Sequence, residues 1–516
     1  MKYLKYFNSL AIGSLILSPL TYAQDEEHMT ITSEFANYEN NHLKLTGDVI
    51  LDYPLGKLQA ENAVIEKGGQ ELSLPFKQLV IEDKVHIELR EGGEIDCDHA
   101  ILDSISQKGL LTRKQSHERV NYNYGYLDAK GQSVKLRLQS QQMEIDLENL
   151  KPSKKHVGKM VIQRVCKIDA IDNVLASYNE EFTAFADRAI YTVPLRNQKL
   201  KPTNRAKVEG QIKLFPKKSE GICRIERLNS GSIDALKILI DPEQRVINFD
   251  KPEGFITTAE QGKDLMRDVC FQSNKLIWNE LTNIFTFEQN VHIVDPILGA
   301  MECDGQVLIK DSPYTEKARK GIERIEALGY TLLNYTDPNN HIQQNLTCPG
   351  QVIINHKEFT TTLIGKNNGN GGGLIKENQV LLKDYLGEIF ADKVRILYNV
   401  EGDKITPKKI ILEGNVYILN NAPFDPSDSK EVFQVAYADR VEHTPMTGET
   451  HLFSQGDTRV LFYDQVRQMQ VSAKELIMQR HQTMGKNAVQ GIGQVRFNLS
   501  KEELGRLKKR FVINET

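Results

Sequence analysis

Two short phrases recur along this chain, and they constrain its fold more than anything else in it. The first is Gly-polar-Val followed by alternating apolar residues, as in Gly47-Asp48-Val49-Ile50-Leu51-Asp52-Tyr53 and Gly414-Asn415-Val416-Tyr417-Ile418. The second is Ala-acidic followed by alternation, as in Ala60-Glu61-Asn62-Ala63-Val64-Ile65, Ala391-Asp392-Lys393-Val394-Arg395-Ile396 and Ala438-Asp439-Arg440-Val441. Looser copies stand at Phe285-Thr286-Phe287, running on to Asn290-Val291-His292-Ile293, and at Ala186-Asp187. A period of two puts alternate residues on one face of a β-strand. Turn residues such as Pro54-Leu55-Gly56 separate the phrases. Gly at a fixed place inside a strand marks a bend or bulge. The expectation is an all-β, elongated stack of antiparallel strands in repeated units, closed by a short C-terminal helix. Ser500, Glu503, Leu504, Leu507 and Phe511 carry that helix's cap spacing and apolar stripe.

The N-terminus carries Lys2 and Lys5, an apolar run from Leu10 to Leu17, and Thr21-Tyr22-Ala23. That is the layout of a cleaved secretory signal, and the run is shorter than the roughly 20 residues a membrane span needs. We divide the chain into a signal peptide (1–23), a first β unit (24–220), a second (221–365), a Gly/Asn-rich linker or loop (366–373), a third β unit (374–499) and a C-terminal helix and tail (500–516). Hydrophobic residues at 40% and charged residues at 26% are globular values. The formal charge is −4, and −6 once Lys2 and Lys5 are removed, which gives no basic excess for nucleic acid. Cys97, Cys166, Cys223, Cys270, Cys303 and Cys348 form no C-x-x-C pair. An oxidising compartment permits three disulfides, and six buried or free thiols are the other reading.

Sites for chemistry are scarce. No H-E-x-x-H or G-x-S-x-G occurs. Asp96-Cys97-Asp98-His99 is the densest set of metal-ligand types, yet a strand would send Asp96 and Asp98 to one face and Cys97 and His99 to the other. Glu61, Asp187, Asp392 and Asp439 recur at one place in each copy, which fits bonding at a sheet corner better than a unique active site. No cofactor, metal or catalytic residue is assigned, and the chain is read as a non-enzyme.

The paired phrases resemble those of the OstA/LptA-like family, which includes the periplasmic lipopolysaccharide bridge protein and the N-terminal domain of the outer-membrane translocon. The matches run from about Leu45 to Phe497, with poor stretches between Gly109 and Asn179 and between Glu316 and Thr362. The resemblance implies a β-jellyroll with a V-shaped groove carrying lipid A acyl chains. It also implies a periplasmic location and edge-to-edge joining with other jellyrolls of this type or with itself. Strand parity assigns Val49, Leu51, Ala63, Ile65, Phe285, Phe287, Val291, Ile293, Phe390, Val394, Ile396, Val416 and Ile418 to the groove lining. The expected cargo is lipopolysaccharide or a related acylated glycolipid, in one continuous apolar groove along the stack. The alternative is an envelope structural protein or secreted adhesin without lipid.

Overall fold

Gly47 and Asp48 adopt φ of 80° and 41°, left-handed values that L-residues other than Gly, Asn and Asp seldom take. The same pairing of two left-handed residues returns at Asp83-Lys84, Asp172-Asn173, Gln289-Asn290 and Gly414-Asn415. Each pair sits at a corner. His42–Tyr53 pairs with Gly56–Lys67 on either side of the 47–48 bulge, and Lys404–Asn420 pairs with Gln434–Thr444 on either side of 414–415. The corner divides the sheet into two arms.

A computed structural model describes residues 30–499, apart from short internal segments of which the longer are 69–75, 151–161, 195–209, 260–265, 312–320, 337–342, 367–375, 421–432 and 481–486. The signal segment, most of the Gly/Asn-rich run and the C-terminal helix of the sequence reading lie outside the described residues. Within them, 40 strands form one antiparallel sheet, and the only helical element is a single 3-10 turn, Lys376–Asn378. The first arm starts from Phe35–Glu39 and ends at Asn487–Ile492. The second starts from Thr30–Thr32 and ends at Arg496–Leu499. At ~4.8 Å per strand the stack is on the order of 100 Å long. Pairing continues across both expected unit boundaries. Phe182–Thr192 bonds to Ile212–Phe215 and Cys223–Arg227, and Thr360–Ile364 bonds to Lys393–Glu401. The poorly matching stretches also belong to the ladder, for Val120–Leu127 pairs with Ser133–Ser140 and Thr331–Thr336 with Gln343–Cys348.

The two sequence phrases are the two directions of crossing the corner. From the first arm to the second, the chain uses the left-handed pair, and inward residues continue at i and i+4, as from Leu45 to Val49, Phe287 to Val291 and Leu412 to Val416. Back to the first arm, the chain turns at the acidic residue and the interior continues at i and i+3, as from Ala60 to Ala63, Cys97 to Ala100 and Ala438 to Val441. Each acid then reaches forward to the next crossing. Asp98 accepts the Lys114 amide at 2.9 Å, Asp187 that of Lys217 at 2.7 Å, Asp304 that of Tyr330 at 2.8 Å and Asp439 that of Gln455 at 2.6 Å. Glu61 takes the Lys84 ammonium, and Asp392 the Asn415 side-chain amide, both at 2.8 Å. Satisfying amides that a bend removes from the ladder is what recurs, so these carboxylates serve the backbone.

Inside the corner the arms converge, and small side chains recur among those that fill it. Ala60, Ala63, Ala100, Ala391 and Ala473 are buried there, and so are Cys97, Cys223, Cys303 and Cys348. All six cysteines are free thiols. Burial pushes Cys97 and Cys223 up to about 12, which makes them inert space-fillers.

Candidate functional site

The inner faces of the arms carry rows of apolar residues that run across the strands, because register partners stand side by side on one face. On the first arm one row runs Tyr191, Ile212, Ile240, Ile247, Trp278, Phe285, Ile309, Ile325 and Ile354. It continues through Thr361, Ile396, Ile410, His443, Thr450, Met478 and Val489. On the second arm a facing row runs Phe271, Ile293, Met301, Leu333, Leu346, Leu382, Ile389 and Ile418.

Burial along these rows changes at one height. The first-arm row is buried through Ile325, at 7% exposure, and half-buried from Ile354 onward except at the buried Thr361. The second-arm row is buried through Met301, at 6%, and half-buried from Leu333 to Ile418. Before this point the arm tips touch across the mouth. Tyr53 meets Phe76 edge-on at 5.7 Å, Tyr122 meets Tyr191 at 6.0 Å, and Phe182 meets Trp278 at 6.3 Å between ring centres. The Tyr178 hydroxyl donates to the Pro242 carbonyl at 3.2 Å, and the Arg227 guanidinium lies 5.1 Å from the Trp278 ring centre. A cavity of about 20 Å³ beside Tyr122, Gln163 and Arg164 has room for one water. Beyond the change, ring contacts stay within one arm, as in Phe390 to Tyr417 and Tyr417 to Tyr437. The V is therefore filled in its first part and opens as an apolar trough beyond, where the second-arm row is half-buried as far as Ile418 and buried again at Ala436, Phe462 and Val471.

The expected lining residues divide accordingly. Val49, Leu51, Ala63, Ile65, Phe285, Phe287, Val291 and Ile293 face the interior, but as packed core in the filled part, so the expected groove does not run the length of the stack. The aromatic tips close it. Val394, Ile396, Val416 and Ile418 face the trough, with Val394 and Val416 at its floor and Ile396 and Ile418 on its walls. Phe390 is misplaced by the parity argument. It pairs with Tyr417 on the outer face, under the Lys376 ammonium, while Ile389 pairs inward with Ile418. The inward register advances by three across Asp392, from Ala391 to Val394, so parity carried back over the acid selects the wrong face. The trough walls missed by sequence reasoning, Leu346, Leu382, Ile410, Met478 and Val489, follow from register once one wall residue is known.

Polar groups in the trough are few and engaged with each other. Tyr398 donates to the Thr361 hydroxyl at 3.2 Å, and His443 Nδ1 lies 2.9 Å from the Thr450 hydroxyl. Burial lowers the His443 pKa, so its imidazole stays neutral at neutral pH. At the change of height, Arg267 pairs with Asp295 at 2.9 Å on the second arm. His356 lies near both from the first arm, with its pKa lowered by burial and then by the Arg267 charge. The Asp96–His99 run does not converge. Asp96 meets His86 at 2.7 Å, Asp98 meets Arg113 at 2.9 Å, and Cys97 is buried inside. Among the described residues no group of three or more His, Cys, Asp or Glu is placed to hold a metal ion. Outside the corner, Asp392, Glu413, Asn415, Asp439, Arg440 and Gln455 line a polar notch of about 230 Å³. Its carboxylates are engaged, Asp392 with Asn415, Asp439 with Gln455 and Glu413 with Lys393.

No protein-family model and no curated protein matches this sequence.

Proposed function

We propose that this protein is a lipid-carrying scaffold of the cell envelope, which shelters acyl chains of lipopolysaccharide or a related acylated glycolipid in its open trough. The observation that carries the reading is the pair of facing rows of half-buried apolar residues from Leu333 to Ile418 and from Ile354 to Val489, the second interrupted only by Thr361, His443 and Thr450. Half-buried Ile, Leu and Met on two converging walls leave apolar area exposed to water, and filling it with alkyl chain is favourable by about 25 cal/mol per Å². The strand backbones inside the trough are already paired in the ladder, so a peptide strand would find no hydrogen bonds along the walls. A corner whose recurring carboxylates serve the backbone fits a carrier built of repeated rungs. The secretory layout of residues 1–23 supports export to the periplasm.

Assembly with other jellyrolls, or with itself, would use the end strands. Phe35 and Tyr38 are exposed on Phe35–Glu39, and Phe497 on Arg496–Leu499. A strand with one side unpaired templates another. The filled first part of the stack favours a second reading, an envelope spacer or adhesin with no cargo. The test is mass spectrometry of lipid extracted from the mature protein purified out of its own envelope. Stoichiometric acylated glycolipid is the expected result. Folded protein without lipid after gentle extraction would replace the carrier reading with the spacer.

A further inference from the structure

Within the filled part, ahead of the change in burial after Ile325 and Met301, a group of side chains spans the mouth. Tyr178, Phe182 and Arg227 come from the second arm, and Trp278, Phe285 and Pro242 from the first. Trp278 stacks on Phe285 at 5.4 Å with 11° between planes, touches Phe182, and is covered by Arg227. Phe182 in turn packs on Tyr178 at 5.6 Å. A ring cluster of this kind is held by area burial plus about 0.5–1.5 kcal/mol per aromatic pair. Beyond it, two further pairs of rungs complete the closure, with Phe271 on Phe287 at 4.9 Å across the arms and Arg267 with Asp295 at the tip.

From this arrangement we infer that the Tyr178–Phe182–Trp278 group and the Phe271 and Arg267–Asp295 rungs next to it form a septum that ends the cargo site, so that acyl chains occupy only the trough beyond it and never pass into the filled part. The inference rests on the carrier reading, and it makes this chain an acceptor with a blind end instead of a through-channel. The occupant is an uncharged alkyl chain. The side chains facing the open part are Leu333, Leu346, Ile354, Ile396, Ile410 and their neighbours, and the polar ones among them, Thr361, Tyr398, His443 and Thr450, are bonded to one another. Such walls offer an anionic headgroup no charge to complement, so the headgroup stays outside the mouth.

Trp278 is the only Trp in the chain, which permits a direct test with dibromostearate, an alkyl chain whose bromines quench indole on contact. Two reporters are made in a Trp278→Phe background, Ile418→Trp in the trough and Phe249→Trp in the filled part. Circular dichroism checks that both stay folded. The expected result is loss of most emission from Ile418→Trp on titration and none from Phe249→Trp. Equal quenching at both positions overturns the septum and leaves the carrier reading standing. Quenching at neither, in folded protein, overturns the carrier reading itself. Adding Phe182→Ala, Phe271→Ala and Arg267→Ala to the Phe249→Trp reporter, with Trp278→Ala in place of Trp278→Phe, should open the septum and let quenching reach Phe249→Trp. A folded variant that stays unquenched would show that another barrier confines the chain.

Discussion

The same first-arm row reads Tyr191, Ile240, Trp278 and Phe285 in one half of the molecule and Ile354, Ile396, Ile410 and Met478 in the other, and only the first is buried. Backbone pairing, corner geometry and inward parity are common to both. What differs is the size of the side chains at the arm tips. Tyr and Trp reach across a mouth that Ile, Thr and Met do not span, and their contacts hold the arms together. A repeated backbone thus makes a solid beam or an open trough according to a few tip residues, with no change in the ladder.

The largest effect that would break this comparison is on stability. Truncating Phe249 or Tyr191 to Ala removes a fully buried ring and leaves a cavity, at an expected cost of about 3–5 kcal/mol. Ile410→Ala should cost only about 1 kcal/mol, because a half-buried side chain returns less area to water and leaves an opening and no void. Hydrogen exchange of the strands on either side of each site measures both, which avoids assuming that so long a stack unfolds in one step. Equal costs would mean that the open part is as tightly packed as the filled one.

The corner is shared by both halves, and a glycine pair sharpens what it contributes. Gly414 sits at φ 78°, and a Cβ there would meet the Asp392 side chain at under 3 Å, with Asp392 itself held by Asn415 and Gln379. Gly456, at φ 57°, has open space where its Cβ would go. Gly414→Ala should therefore cost about 2 kcal/mol and Gly456→Ala about 1 kcal/mol, the second being the left-handed backbone penalty alone. Thermal unfolding of the two variants gives the difference. Matching values would show that the Asp392 staple yields freely.

The strand stack was legible in the sequence because alternation, turn residues and the two phrases all point to the same ladder. The meaning of having two phrases was not. Crossing direction belongs to the pairing of neighbours, and a single strand does not show which arm it starts from. The stretch from Gly109 to Asn179 lost its phrases because two of its crossings are made by the Arg113–Arg119 connection and by Gln141 between two strands, and the third, at Asp172-Asn173, has no glycine, while its pairing survives. Phe390 was assigned inward by a parity that holds within a strand and fails across an acidic crossing. The division into filled and open parts left one trace, the clustering of Tyr122, Tyr124, Tyr126, Tyr178 and Tyr191 ahead of Trp278. Alternation records which face a residue takes, and it carries no information on whether the opposite arm meets it.

Acid should loosen the filled part at identifiable places. Burial works to raise Asp169, but the two-pronged Arg188 contact, at 2.8 and 2.6 Å, and Lys167 outweigh it and hold the carboxyl low. Asp98 is likewise raised by burial and brought below its usual value by the Lys114 amide and Arg113. A carboxyl lowered in the folded state contributes stability that is fully present above its unfolded pKa, near 4, and is lost as pH falls through the folded value. Hydrogen exchange around Cys97–Thr112 and Ile168–Tyr191 should therefore stay slow down to about pH 4 and quicken below it. Asp169→Asn should flatten that acid response near Arg188. A response unchanged in the variant would place the acid-sensitive contact elsewhere.

The smallest effect is chemical and leaves the fold intact. Cys97, Cys223, Cys303 and Cys348 occupy the narrow inner corner, and burial raises the thiols of Cys97, Cys223 and Cys348. Cys270 lies exposed on the outer face of the second arm. Since the thiolate is the reactive form and access gates its reaction, native protein treated with a maleimide should gain one fast adduct, at Cys270. Cys166 is half-buried, its thiol is raised by burial and donates to the Asp146 carbonyl at 3.3 Å, so it should follow slowly. The corner cysteines should react only on unfolding, and they report on the corner because the filled and open halves share it. Cys97 and Cys223 lie in the filled part and Cys348 at the start of the open one. If the trough opens by spreading its arms, Cys348 should label sooner than Cys97 in mild denaturant. If the corner is rigid throughout and only the tips differ, the two should label together, and peptide mapping of the adducts separates these outcomes.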